Sequence, residues 1–167
     1  MQKVNRLRGK RWNVSFFLPA LLAVAADQLS KIWIRSNLAV GESLPEAGFF
    51  QLTHVQNTGA AFGLFQDHSF ALTIVGLVGV AALLAYALYF YRHFPILNNR
   101  LSNSALGLIL GGTVGNLIDR LNPNLGGVTD FISIGIWPTF NIADSAVVVG
   151  TIILAYTLLS LVRAKKQ

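Results

Sequence analysis

Cysteine is missing from all 167 residues, which excludes disulfides, thiol nucleophiles and cysteine-ligated metal sites. Charge is scarce too: charged residues make up 12% of the chain against 53% hydrophobic, and the mean hydropathy is +0.55. That balance is unusual for a soluble domain and favours one membrane-embedded domain spanning residues 1–167. The three histidines, His54, His68 and His93, are scattered and no H-E-x-x-H occurs, so no metal site is expected. A phosphate-cradling G-x-x-x-x-G-K is also absent, which argues against a nucleotide-driven machine.

What is present is a set of long apolar runs. Four stretches approach the roughly 20 residues that span a bilayer, at about 14–37, 69–91, 101–121 and 141–162. The first has a rival reading as a cleavable secretory signal, given its basic start and the string AVAA. Three further spans follow, however, and DQLSKIWI continues the helical pattern, so the first helix is read as retained. The expected fold is an all-α membrane protein with four transmembrane helices.

The net charge of +6 and pI near 10.1 do not point to nucleic acid, because of where the cations lie. Ten of them (Lys3, Arg6, Arg8, Lys10, Arg11, Arg92, Arg100, Arg163, Lys165 and Lys166) fall on one side if the helices alternate. The connections 38–68 and 122–140 contain no Lys or Arg. By the positive-inside rule both termini are expected in the cytoplasm, with these two loops outside.

In that frame the seven acids gather on the outer side. Glu42, Glu46, Asp67 and Asp130 lie in outer loops, and Asp27, Asp119 and Asp144 in the outer parts of the first, third and fourth helices. A carboxylate at mid-membrane costs about 2.5–3.5 kcal/mol, so clustering at one depth implies a shared polar site. Each acid also has a plain structural reading. Asp27 and Lys31, four apart, suit a helix-face ion pair; Asp144, three after Asn141, suits a helix cap; Asp119 suits pairing with a neighbouring Arg.

Gly107, Gly111, Gly115 and Asp119 recur every four residues and share one helix face, which allows close helix approach and turns Asp119 inward. Asn116 and Arg120 form the adjacent stripe, suited either to holding a carboxylate or substrate carbonyl, or to interhelical bonds and snorkelling. FFQLTHV and the alternation in ISIGIW suggest a small extracytoplasmic β element, and NTGAAFG is a turn-prone loop beside Phe62 and Phe65. A Ser30–Lys31 dyad fails, because adjacent helical residues diverge.

Carboxylate chemistry or ion handling remains. Two aspartates held close share one proton, and such a pair can activate water for peptide hydrolysis while the protonated partner hydrogen-bonds the scissile carbonyl. No cofactor is needed. Which two of Asp27, Asp119, Asp130 and Asp144 would pair stays open on these grounds.

DQLSK (27–31), NTGAAFG (57–63), GNLIDR (115–120), VTDF (128–131) and FNIADS (140–145) occur in an order and spacing that resembles lipoprotein signal peptidase, also called signal peptidase II. The resemblance covers nearly the whole chain. It implies an aspartic endopeptidase of the bacterial inner membrane that cuts prolipoproteins just before a diacylglyceryl-modified cysteine. It implies Asp130 and Asp144 as the catalytic dyad, fourteen positions apart, with the intervening segment folding back to join them. Asn57, Asn116, Arg120 and Asn141 match polar positions that orient substrate or dyad, and Asp27, Lys31 and Asp119 look like structural polar residues. Partners would be prolipoprotein signal peptides and membrane lipids, with no nucleic acid and a monomeric enzyme. Thr129 departs from the aliphatic residue expected before the aspartate.

Two readings from other classes stand beside this one. A proton-coupled transporter would use the outer acids as a relay, although the inner helix halves carry no acid to complete a path. A purely structural membrane subunit would need neither aspartate for catalysis.

Overall fold

A computed structural model of the chain describes residues 2–59, 69–90 and 99–164. The helices are α1 (Gln2–Asn37), α2 (Ser69–Ala85), α3 (Arg100–Leu121) and α4 (Ile142–Ala164), and a π-helical turn, Tyr86–Phe90, extends α2. Three strands, β1 (Ser43–Leu44), β2 (Phe50–Asn57) and β3 (Val128–Ile134), make one antiparallel sheet in that order. Stretches long and apolar enough to cross a membrane are Val14–Asn37, Ser69–Tyr89, Arg100–Leu121 and Ile142–Ser160, close to the four expected runs. The turn loop 60–63 with Phe62, and likewise Phe65, Asp67, His68, Arg92 and His93, lie outside the described residues.

α3 is the central helix. Over its most apolar window 56% of residues are buried, against 6% for α2, so α2 turns most of its surface outward. The helix starts where Asn99 caps it, its side chain accepting from Ser102 N at 2.8 Å, which satisfies one of the free N–H groups of the first turn. The every-fourth-residue glycine face does what its spacing predicts. Gly107 lies against the Phe16 carbonyl and Gly111 against Ala20 and Ala23, so α1 and α3 approach to backbone contact. On another side Gly112 meets Ala143 of α4, and Gly150 of α4 meets the Ala105 carbonyl. Phe16, Ala20, Leu106 and Leu110 form the apolar core with Ala87, sealed by Val80, Leu83 and Leu154.

The sheet sits at the end of the bundle where α1 stops and α4 starts. Ile34, Leu38 and Phe131, with Leu52, Ile132 and Ile142 around them, fix it to the helices. β2 and β3 pair from Phe50↔Ile134 to Asn57↔Val128, with an irregularity between Leu52 and Val55. This brings Val55 opposite Asp130 and leaves Asn57 near the aspartate.

The alternation in ISIGIW overstates the strand. β3 begins earlier, at Val128, and ends at Ile134; Gly135 then adopts a φ of +52°, and Ile136 and Trp137 are exposed in the turn. Beyond that turn the chain comes back beside β3, with Phe140 N donating to Ile132 O at 3.1 Å and Ile132 N donating to Phe140 O at 2.8 Å. The fold-back delivers Asn141, and then the first turn of α4, to the side of Asp130.

Candidate active site

Asp130 enters the site from β3 and is buried, 2% exposed. Its two carboxylate oxygens are held separately: Asn57 Nδ2 donates to Oδ2 at 2.8 Å and Asn141 Nδ2 to Oδ1 at 2.6 Å. Asp144, in the first turn of α4, is only half-buried. Asn116 Nδ2 donates to its Oδ1 at 2.8 Å. Asn141 N donates to Asp144 Oδ2 at 3.2 Å while Asp144 N donates to Asn141 Oδ1 at 2.9 Å, a reciprocal cap three residues apart. The plain reading of Asp144 as a helix cap therefore holds, and the same side chain also faces the site.

Asn141 links the two carboxylates, since one amide touches Asp130 and caps the helix that carries Asp144. It also donates to Asn116 Oδ1 at 3.0 Å. Burial first, and then the neighbouring Asp144 charge, push the Asp130 carboxyl up to about 7; the N–H donors of Asn57 and Asn141 and the charge of Lys31 pull the other way.

Behind this layer is a buried charge cluster. Lys31 Nζ lies 2.8 Å from Asp27 Oδ2 and 3.3 Å from Asp119 Oδ2, with all three side chains fully enclosed. Asp27 Oδ1 accepts Ala143 N at 2.9 Å, and Asp119 Oδ2 accepts Thr129 N at 2.9 Å. The two acids thus tie α1 to the start of α4 and α3 to β3, immediately beside Asp144 and Asp130. The Asp27–Lys31 pair is more than a helix-face contact, and Asp119 pairs with cations of α1, not with Arg120 beside it in sequence.

Arg120 makes no hydrogen bond to these carboxylates among the described residues, although its charge acts on Asp144, Asp130 and Asp119. Its Nη2 donates to the Gly59 carbonyl at 2.9 Å, and its Nε is buried with no partner among the described residues. Gly59 N in turn donates to Asn57 Oδ1 at 2.8 Å, so Arg120 and Asn57 hold the same turn from two sides. His54 is buried in β2 with Nδ1 2.8 Å from the Leu38 carbonyl, remote from these carboxylates in its bonding.

Two contributors were not singled out in the sequence. Gln28 Nε2 reaches Asp27 Oδ2, the Gly115 carbonyl and Asp119 Oδ1 at 3.1, 3.0 and 3.3 Å. Arg35 Nη1 donates to Thr129 Oγ1 at 3.0 Å and lies 3.6 Å from Asp119 Oδ1, which gives Thr129 a bonding partner that an aliphatic residue would lack. The signal available was one of spacing: Lys31 and Arg35 stand four apart on the helix face begun by Asp27.

A cavity of about 390 Å³ opens beside Asp144 and Ser145, walled by Trp137, Phe140, Val148 and Val149. Its lining is almost wholly apolar, with Asp144 at one edge. The arrangement therefore sets two dissimilar carboxyls, one enclosed and one open, next to space for an apolar ligand. Among the described residues there is no group of three or more His, Cys, Asp or Glu side chains suited to a metal ion.

Residues 19–160 match the family described as Signal peptidase (SPase) II. A lipoprotein signal peptidase of Dehalococcoides mccartyi is 54% identical over 138 residues, covering 82% of this chain and 84% of that protein. One from Moorella thermoacetica is 48% identical over 145 residues, covering 86% and 92%. A bacterial membrane enzyme solved by the in meso method at 2.3 Å superposes with a TM-score of 0.74 at 31% identity, covering 86% of each chain.

Proposed function

The chain belongs to the signal peptidase II family, and on that footing we propose that it is an intramembrane aspartyl endopeptidase that removes signal peptides from diacylglyceryl-modified prolipoproteins. It cuts just before the lipidated cysteine, using Asp130 and Asp144 as a dyad and no cofactor. The coarser statement, a multi-pass bacterial membrane peptidase of lipoprotein processing, follows from the family and the four spans.

The observation that carries the reading is the unequal pair of carboxyls joined by Asn141. A pair that shares one proton needs one member to keep it and the other to stay ionised. Asp130, enclosed and pushed up to about 7, keeps the proton. Asp144, half-open and facing the cavity, is the member placed to act on water. Asp144 takes a proton from water as the water attacks the scissile carbonyl carbon, and the Asp130 carboxyl hydrogen-bonds the carbonyl oxygen as charge develops there. Collapse of the tetrahedral intermediate breaks the C–N bond, and the proton held by Asp144 passes to the leaving amine.

Asn57 and Asn141 fix the Asp130 oxygens, Asn116 fixes Asp144, and Arg120 holds the turn at Gly59 from which the Asn57 side chain is reached. The apolar cavity beside Asp144 suits a lipid-anchored peptide. The basic residues that precede the first span and follow the fourth support cytoplasmic termini, and with that orientation the sheet and dyad would lie at the outer face. We take the working unit to be a monomer, since one chain supplies both aspartates together with the Asn57, Asn116 and Asn141 side chains that hold them.

Substrate class is tested by incubating detergent-purified protein with a diacylglyceryl-modified precursor and with its unlipidated form. A mobility shift with the lipidated precursor alone is expected. Equal cleavage of both would overturn the lipid requirement.

A further inference from the structure

Lys31 is fully enclosed, and its Nζ has three acceptors: Asp27 Oδ2 at 2.8 Å, Asn116 Oδ1 at 3.0 Å and Asp119 Oδ2 at 3.3 Å. An ammonium has three N–H donors and no acceptor, so the set is complete. The two carboxylates balance its charge. The third partner is a neutral amide, which an ion pair alone does not require.

What that third contact does is visible from the other end of Asn116. Its Nδ2 donates to Asp144 Oδ1 at 2.8 Å, and its Oδ1 also accepts from Asn141 Nδ2 at 3.0 Å. Reversing the amide would set its NH2 against the Lys31 ammonium and the Asn141 NH2, donor against donor. It would also set its carbonyl against the Asp144 carboxylate, acceptor against acceptor. Only one orientation is compatible with Lys31.

The constraint passes on. With Asn116 Oδ1 fixed as an acceptor, the Asn141 group facing it is the NH2, and that same NH2 donates to Asp130 Oδ1 at 2.6 Å. The other half of the Asn141 amide is left to accept Asp144 N at 2.9 Å. The ammonium thus acts with the Asp144 carboxylate in fixing the Asn116 amide, and through Asn116 adds to the hold that the Thr129 carbonyl (3.4 Å) and Asp144 N have on the Asn141 amide, so that each carboxylate is given an N–H donor.

We propose that Lys31 is a positioning residue for peptide cleavage: its buried ammonium locks the amide orientations of Asn116 and Asn141 that hold Asp144 and Asp130. The proposal rests on the Asp130–Asp144 reading of the site. It assigns Lys31 a role beyond neutralising Asp27 and Asp119, and it makes the donor at Nζ, more than the charge, the feature that catalysis needs.

Because Lys31→Met alone would leave two buried acids without their cation, the comparison is made with one acid neutralised. Asp27→Asn/Lys31→Met and Asp27→Asn/Lys31→Gln are purified in detergent and assayed on a diacylglyceryl-modified precursor, with thermal unfolding measured alongside. Gln keeps an N–H donor for Asn116 Oδ1, and Met does not. The Met variant is expected to lose kcat on the order of 100-fold relative to the Gln variant, with KM changed by less than about twofold and similar unfolding temperatures.

Adding Asn116→Ala should lower the Gln variant to the level of the Met variant and leave the Met variant where it was. Equal kcat for the folded Gln and Met variants, or an Asn116→Ala loss that multiplies in full onto the Met variant, would overturn the proposal. Where the Met variant does not fold, the Gln variant decides: retained kcat supports the donor role, and a 100-fold loss in folded protein contradicts it. Asp130→Asn and Asp144→Asn run in the same assay separate the two claims. If either keeps wild-type activity the dyad itself fails; if both are inactive and Lys31 shows no coupling to Asn116, this proposal alone fails.

Discussion

The Nδ2 atom of Asn141 lies 2.6 Å from Oδ1 of Asp130, while the carbonyl of the same amide caps the helix that carries Asp144. One side chain thereby sets the separation and relative orientation of two carboxyls that come from a strand and a helix. Replacing it by alanine should remove both functions at once. For Asn141→Ala we expect kcat to fall on the order of 10²-fold, together with a loss of about 1 kcal/mol of stability from the missing cap. Steady-state kinetics and thermal unfolding of the same preparation check the two effects, and an unaltered kcat would deny Asn141 its organising role.

The pH dependence follows from Asp130. Its carboxyl is raised from an ordinary 3.8 to about 7, so between those values the native state holds a proton that the unfolded chain has released. The stability from this group is fully present below about 3.8 and lost as pH rises through about 7. In the proposed reaction a protonated Asp130 hydrogen-bonds the scissile carbonyl, so kcat/KM should decline on the alkaline side of about 7. The Asn57 hydrogen bond favours the ionised carboxylate, so Asn57→Ala should move that alkaline limb to higher pH as well as lower the rate. A limb that stays put or moves down would contradict the assignment.

The glycine face of α3 makes a stability prediction that is independent of chemistry. A Cβ at Gly107 would meet the backbone carbonyl of Phe16, which cannot turn aside as a side chain can. Gly107→Ala should cost about 1–3 kcal/mol by prising α1 from α3. Gly79→Ala in α2, with nothing within 4 Å of the added carbon, is the control and should be neutral or slightly stabilising. Thermal unfolding in detergent distinguishes the two.

Metal removal gives a further check. The proposed chemistry uses water and two carboxyls alone, so cleavage in excess EDTA should run at the untreated rate. A loss restored by adding back a divalent cation would require a different mechanism.

Much of this architecture was legible in the sequence, for physical reasons. The four apolar runs announce themselves because a bilayer demands about 20 such residues per helix. The spacing of Gly107, Gly111 and Gly115 told which face of α3 a neighbour would approach. The polar residues embedded in apolar runs, Asp27, Lys31, Asn116, Asp119, Asn141 and Asp144, were conspicuous because burying them is costly without partners. The structure brings them together.

Partner choice was not legible. Asp27 and Asp119 meet at Lys31 because the glycine face brings α3 against α1, and Asp130 shares Asn141 with Asp144 because β3 folds back through Gly135 to Phe140. Composition does not encode that return. ISIGIW misled because Ile136 continues the alternation in letters while the chain has already turned at Gly135, leaving its side chain exposed. Gln28 and Arg35 were passed over because their bonds run to Gly115, Asp119 and Thr129, some ninety positions away.

The central claim is that Asp130 and Asp144 together carry out the cleavage, and single-turnover cleavage of a diacylglyceryl-modified precursor by folded Asp130→Asn and Asp144→Asn proteins tests it most directly. Asparagine keeps the size of each side chain and removes its ability to hold or accept the shared proton. Both variants are expected to unfold near the wild-type temperature, to bind the precursor and to leave it uncut. Wild-type cleavage by either folded variant would contradict the claim.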